Sequence, residues 1–265
     1  MNILEKIIEH KKKEIEKNKK LFPVEILKQA DFFHRPTFSL KQFLSDETKA
    51  GIIAEFKRRS PSKGIINADA DVAEVTAAYN KHGASCLSVL TDSEFFGGSV
   101  DDLRKARVNP IPVLRKDFII DEYQLVEAKA IGADVILLIA ACLSPDRVKE
   151  LASFAKQLQL EVLLEIHHEA ELKHICDETE LVGVNNRNLK TFSVDINRSI
   201  ELSTKIPVEK IRVAESGIDS PETIGMFREA GFKGFLIGEK FMKEKDPGEA
   251  FTQFVQQLKK IQHEY

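Results

Sequence analysis

From Gly51 onward, short apolar runs and amphipathic runs alternate eight times, and this alternation restricts the chain to very few folds. The strand-like runs are Ile52–Phe56, Cys86–Leu90, Pro112–Arg115, Asp134–Ile139, Glu161–Ile166, Leu181–Asn185, Ile211–Glu215 and Gly234–Gly238. Their length and apolar content suit strands covered on both faces. Between them lie helical patterns at Val72–His82, Val100–Arg107, Glu122–Ile131, Pro145–Leu158, His168–Cys176, Asp195–Lys205 and Pro221–Ala230, and Pro247–Gln262 closes the chain. Ser144-Pro145, Ser220-Pro221 and Asp246-Pro247 each set a capping side chain before a proline at the first helical position, and Glu249 adds a capping-box partner to Asp246. Gly83-Ala84, Gly132-Ala133 and Gly231-Phe232 fall where helix C-caps are needed. Eight β-then-α units predict a closed (β/α)8 barrel. A doubly wound open sheet is the alternative, and the count of eight disfavours it.

Residues 1–50 read as an N-terminal helical extension packed on a barrel formed by 51–265, the whole being one structural domain. Ile3, Leu4, Ile7, Ile8 and Ile15 recur at helical spacing over 2–20 and predict an amphipathic helix docked by its apolar stripe. Lys11-Lys12-Lys13 is interspersed with Glu5, Glu9, Glu14 and Glu16, which makes a solvated helix face the better reading than a basic binding patch. Short helices are expected at Val24–Ala30 and Leu40–Leu44.

A net charge of -3 over 265 residues argues against a general nucleic-acid binder, and no apolar run approaches a membrane span. The N-terminus lacks the apolar core of a signal peptide. Cys86, Cys142 and Cys176 show no metal-ligand spacing and read as buried free thiols of a reducing cytoplasm. No metal and no cofactor are expected, and the chain's length leaves no room for fusion to another enzyme.

In a barrel of this kind the site stands at the C-terminal strand ends. Glu55 and Lys57, two apart, point to the same side. The following ends carry Thr91-Asp92 with Phe95-Phe96-Gly97-Gly98-Ser99, then Arg115-Lys116-Asp117-Phe118, the apolar Leu137-Leu138-Ile139, Glu165, Asn185-Asn186-Arg187-Asn188, Glu215-Ser216-Gly217, and Gly238-Glu239. Buried charges are costly unless paired, so charges gathered at one end of apolar strands point to a functional mouth. The glycine turns after the seventh and eighth strands let a main chain approach a phosphate closely.

The segments IIAEFKRRSPSKG, SVLTDSEFFGGS, PVLRKDFIID, ADVILLIA, VLLEIH, VGVNNRNLKTF, VAESGI and LIGEKFM, from Ile52 to Met242, together resemble the indole-3-glycerol phosphate synthase family of tryptophan biosynthesis, and look most like its Firmicute bacterial members. The resemblance implies a lyase that decarboxylates as it closes a ring. Its substrate is 1-(2-carboxyphenylamino)-1-deoxyribulose 5-phosphate, converted to indole-3-glycerol phosphate, carbon dioxide and water. It implies Lys116 as general acid for ring closure and Glu165 as general base. Lys57 is implied to bind the substrate carboxylate, with a second acid role open to it, and Glu55 to orient Lys57 or act as a base. Asn185, Arg187, Glu215 and Ser60 are carried over as polar contacts, and Ser216, Gly217 and Gly238 as the phosphate site. At Glu239 only the backbone N–H is expected to face the phosphate, with the side chain turned outward. Phe95, Phe96, Phe118 and Leu137 suit the walls of an aromatic pocket, with core packing an equal alternative. The expected partners are the small phosphorylated substrate and, in a complex left open, other enzymes of tryptophan synthesis, with no nucleic acid and no membrane.

Three rival readings stand beside it. Phosphoribosylanthranilate isomerase needs a cysteine and an aspartate where this chain has lysines and glutamates. A Schiff-base aldolase would use Lys116 or Lys57 as nucleophile. A barrel that only binds phosphometabolites has no need of two lysines and three glutamates at one mouth.

Overall fold

A computed structural model describes residues 2–188 and 193–263. Eight parallel strands form a closed barrel in sequence order: β1 (Ile52–Phe56), β2 (Cys86–Leu90), β3 (Val113–Lys116), β4 (Val135–Ile139), β5 (Glu161–Ile166), β6 (Leu181–Asn185), β7 (Ile211–Glu215) and β8 (Phe232–Ile237), with β8 pairing back on β1. The register sets Glu165 opposite Ile139 and Asn185 opposite Glu215, so the functional ends of neighbouring strands stand level.

Alternate strand residues face opposite sides, and the two sides form two cores. Ile53, Cys86, Leu114, Leu137, Leu163 and Val213 fill the barrel interior, while Ala54, Leu87, Ile136, Leu164 and Val182 pack outward against the helices. Side-chain caps start most of the helices: Asp71, Ser99, Asp121, Ser144, Asp195 and Ser220 each accept a first-turn amide. Gly132 ends the helix Glu122–Ile131 in the left-handed conformation at φ 97°.

The N-terminal extension covers both ends of the barrel. Leu40 and Leu44, on the helix Leu40–Ser45, plug the bottom of the interior core, and Ser39 Oγ donates to Glu161 at the start of β5 over 2.5 Å. The helix α1 (Ile3–Leu21) begins in a full capping box between Asn2 and Glu5, and runs across the opposite, functional end.

Several expectations are corrected. Lys11 is not on a solvated face: it is fully buried, ion-paired with Asp92, Asp117 and Glu14, while Lys12 and Lys13 are exposed. The segment expected as a helix at 168–176 is a 3-10 turn, Glu169–His174, because Glu171 folds back onto the His167 and His168 amides and holds the chain tight. The helix expected over Val24–Ala30 stops at Leu27, where i→i+3 bonds take over. Cys86 is buried, but Cys142 and Cys176 are only half-buried at the edges of the cores. A small hairpin, Arg59–Ser60 against Gly64–Ile65, stands over β1 where only a turn is expected from the sequence.

Candidate active site

The cavity at the C-terminal strand ends has a volume of about 510 Å3. Its polar floor is made by Glu55, Lys57, Lys116, Glu165, Asn185 and Glu215, and its rim by Ser60, Arg187, Ser216, Gly217, Gly238 and Glu239. Sixteen further lining positions include Phe96, Phe118, Ile139 and, from α1, Ile3, Leu4 and Ile7, so a helix remote in sequence closes one wall.

The charges on the floor are matched pair by pair. Lys57 Nζ lies 2.5 Å from Glu55 Oε1, as the i, i+2 spacing at the end of β1 requires. Lys116 Nζ lies 3.6 Å from Glu165 Oε2, across the barrel from β3 to β5. The other oxygen, Glu165 Oε1, accepts from Asn185 Nδ2 at 3.1 Å and stands 3.1 Å from His167 Nε2. Asn185 Oδ1 in turn accepts the Arg187 amide at 3.0 Å, which fixes the orientation of the Asn185 amide. Glu215 folds over Gly183: a Cβ there would fall 2.1 Å from Glu215 Oε1, so β6 has room only for hydrogen at that point.

These neighbours set the proton inventory. Burial pulls the Lys116 ammonium toward neutrality, but the carboxylates of Glu165, Glu215 and Glu55 outweigh it and raise its pKa. Burial pushes Glu165 upward, and Lys116, His167 and Asn185 override it and hold Glu165 ionised, far below the usual carboxylate range. Glu55 is likewise lowered, burial being overcome by Lys57 and Lys116. Glu215 goes the other way. Burial and the neighbouring Glu165 charge both push it well above the ordinary value, with Lys116 opposing. The surroundings therefore hold Lys116 toward its ammonium and Glu165 toward its carboxylate, and push Glu215 toward its protonated form, so the two carboxyls are set apart.

The rim offers backbone rather than charge. Ser216 and Gly217 both have left-handed backbones, at φ 69° and 68°, and Ser216 O is tied by Asn186 Nδ2 at 2.6 Å. Gly238 packs so closely that a Cβ would lie 2.6 Å from Glu55 Oε1. The Glu239 side chain does not turn away from the rim. It reaches Lys63 at 3.4 Å and Arg187 at 3.5 Å, and so is neutralised in place.

Two expected wall residues stand elsewhere. Phe95 packs edge-on against His10 of α1, ring centres 5.7 Å apart, and does not line the cavity. Leu137 lies in the interior core, and Ile139, two residues on and on the same side, is the β4 residue that reaches the cavity. Phe96 and Phe118 do line it, stacked with a tilt at 6.0 Å. The part of the VGVNNRNLKTF segment at 189–192 lies outside the described residues. Sequence reasoning missed His167, Lys11 and the α1 wall. His167 stands two residues after Glu165, the same spacing that singled out Lys57 after Glu55.

A family model described as indole-3-glycerol phosphate synthase matches residues 4–254. The chain belongs to the indole-3-glycerol phosphate synthase family. It is 47% identical over 258 residues to a protein of that name from Bacteroides thetaiotaomicron, covering 97% of this chain and 99% of the relative. It is 45% identical over 257 residues to one from a Polaromonas species, covering 95% and 97%. The expected Firmicute character has no support among these members of the family, which come from other bacterial groups. Among solved structures, tryptophan synthase subunit alpha from Legionella pneumophila superposes with a TM-score of 0.61 at 12% identity, over 85% of this chain and 98% of that one. A thiamine phosphate pyrophosphorylase from Pyrococcus furiosus gives 0.58 at 14% identity, over 82% and 98%. At that distance the likeness is one of fold alone.

Proposed function

We propose that this member of the indole-3-glycerol phosphate synthase family is a cytoplasmic carbon–carbon lyase that converts 1-(2-carboxyphenylamino)-1-deoxyribulose 5-phosphate to indole-3-glycerol phosphate, carbon dioxide and water. The observation that carries the reading is the pairing of Lys116 with Glu165 across the cavity at the barrel mouth, at 3.6 Å. Ring closure places negative charge on the ribulose carbonyl oxygen as the aromatic carbon attacks it. Lys116 is held as an ammonium by the carboxylates around it and donates its proton as that charge develops. The same protonation speaks against a Schiff-base aldolase, which needs a neutral amine as nucleophile.

Lys57, paired with Glu55, binds the substrate carboxylate until it leaves as carbon dioxide. Loss of carbon dioxide restores the aromatic ring; Glu165, ionised, then accepts a proton from the methylene carbon beside the nitrogen, and the Glu215 carboxyl, pushed toward its protonated form, donates to the departing hydroxyl. Phe96 and Phe118 give the anthranilate ring an apolar wall, and Ser216, Gly217, Gly238 and the Glu239 amide receive the phosphate, with Ser60 and Arg187 beside it. No cofactor takes part in this scheme. The small substrate is the partner the reading requires, and contacts with other tryptophan-pathway enzymes belong to the same proposal.

The test is direct. The purified chain is mixed with the carboxyphenylamino substrate, and indole fluorescence and carbon dioxide are followed together. Equal release of both products is expected. No fluorescence at micromolar enzyme, or borohydride trapping of substrate on Lys116, overturns the assignment.

A further inference from the structure

The Glu165 carboxylate has a second cation behind it that the scheme above does not use. His167 is 2% exposed, its Nε2 lies 3.1 Å from Glu165 Oε1, and its Nδ1 lies 3.7 Å from Glu171 Oε2. Glu171 is fixed in its turn: Oε2 accepts the His167 amide at 2.6 Å and the His168 amide at 3.2 Å. The imidazole is thus clamped between two carboxylates by the 3-10 turn after β5. Both ring nitrogens face carboxylate oxygens, an arrangement that favours the charged ring.

We propose that His167 is a positioning residue for Glu165, an imidazolium anchored by Glu171 whose charge keeps Glu165 ionised when Lys116 gives up its proton. The inference rests on the roles given above to Lys116 and Glu165. In the resting site Glu165 has Lys116 on one oxygen and His167 on the other. When the Lys116 proton moves to the carbonyl oxygen, a neutral amine and a hydroxyl remain, and the Lys116 charge is gone. Glu165 is then a buried carboxylate on the same floor as the ionised Glu55, and burial together with that like charge drives such a group to take up a proton. A base that protonates at that moment cannot accept the methylene proton that dehydration must remove next. His167 holds a charge that the reaction does not consume.

The groups facing His167 are consistent with an imidazolium. Glu165 comes from β5, Glu171 from the 3-10 turn, and the half-buried Cys142 thiol near both carboxylates is pushed up to about 12 by burial first and then by their charge, so it stays neutral. The His168 ring is tilted against it at 6.3 Å. Asn185 shares Glu165 Oε1 with His167, and Lys116 stands by the other oxygen, Oε2. Burial lowers the imidazole, but Glu165 and Glu171 outweigh it and raise it to about 9.

The experiment compares wild type with His167→Gln, which keeps a polar side chain and loses the charge. An opposite charge within contact distance moves a carboxylate by roughly 1–3 pH units. The acid limb of kcat against pH is therefore expected to move up by about 1–3 units in His167→Gln, with KM nearly unchanged. A fall in kcat with an unmoved acid limb would reduce His167 to a structural role and overturn the proposal. So would a kcat profile identical to wild type. A second readout is independent of activity: an NMR titration of the His167 ring in the full chain, expected to turn near 9 in wild type and lower in Glu171→Gln. A ring that titrates at the ordinary value in wild type also overturns the proposal. If the ring titrates as expected but no indole product forms even in wild type, the fault lies with the proposed reaction and not with the clamp.

Discussion

Lys11 Nζ, on the first helix, lies 3.0 Å from Asp117 Oδ1, and Asp117 directly follows Lys116. The same ammonium lies 3.1 Å from Asp92 Oδ2, and Asp92 Oδ1 accepts the Phe95 and Phe96 amides at 2.7 and 3.2 Å. One buried cation thus fastens α1 to the ends of β2 and β3. It also sets the loop that carries Phe96 into the cavity. Burial disfavours the Lys11 charge, but Asp117, Asp92 and Glu14 outweigh it, and Asp117 is held well below its usual range by Lys11 and Arg115 despite its own burial.

Replacing Lys11 with Met keeps the volume and strands two buried carboxylates. Breaking a buried pair by removing one partner costs about 3–5 kcal/mol. Urea unfolding of Lys11→Met should show a loss of that order at pH 7. Asp117 has a depressed folded pKa, so its contribution is present above about pH 3.9 and fades as the pH falls through the folded value. The gap between the two proteins should therefore narrow in acid. An unchanged midpoint at pH 7 would mean that α1 is docked by its apolar contacts alone.

The barrel was legible because eight apolar runs, spaced alike, leave little choice of fold, and seven of the eight end within a residue of the observed strand at both ends. The polar floor was legible because strand ends converge and i, i+2 pairs share a side. Lys11 was not, because a Lys- and Glu-rich helix looks solvated. Yet Lys11 lies on the same helical phase as Leu4, Ile7, Ile8 and Ile15, and a charge on an apolar stripe signals a buried partner. Leu137 was misplaced for a related reason: alternation gives the side a residue faces but not its depth, and Leu137 is mid-strand. The hairpin over β1 is two residues a side, too short to show any period.

Gly217 has φ 68°, and a Cβ there would meet Val194 Cγ1 at 2.3 Å. Gly217→Ala therefore moves the turn after β7. If that turn holds the phosphate, KM should rise on the order of tenfold, the equivalent of about 1.4 kcal/mol of binding, and inhibition by inorganic phosphate should weaken with it. Gly217 is a better probe than Gly238, because a side chain at Gly238 also strikes Glu55. An unchanged KM would remove Ser216 and Gly217 from the phosphate site.

Glu215 makes the enzyme less stable as the pH rises. Its folded pKa is raised by burial and by Glu165, so above about pH 4.3 the unfolded chain loses a proton that the folded one keeps. Stability falls from there until the folded group ionises. Glu215→Gln removes the titration and keeps the shape. Its melting temperature should exceed that of wild type at pH 8, with the difference closing toward pH 4, while kcat falls roughly 10²-fold for want of the proton. A variant no more stable than wild type at pH 8 would show that Glu215 is ionised in the folded protein.

Lys116→Met tests the centre of the mechanism. Met keeps most of the volume of the lysine stem and removes the proton. The fold should survive, because the stability of the barrel lies in the buried Val, Ile and Leu of its strands and Lys116 stands at a strand end beside the cavity. Glu165 loses one countercharge, but Asn185 and His167 still hold its other oxygen. Single-turnover ring closure should fall by about 10²–10⁴-fold, the usual range for one general acid. Binding of a substrate analogue should weaken far less, since the Lys57 contact and the backbone turns at Gly217 and Gly238 are untouched. A variant that keeps more than about a tenth of the wild-type rate falls outside that range. The acid is then elsewhere, and Lys57, 2.5 Å from Glu55 on the neighbouring floor, becomes the group to replace next.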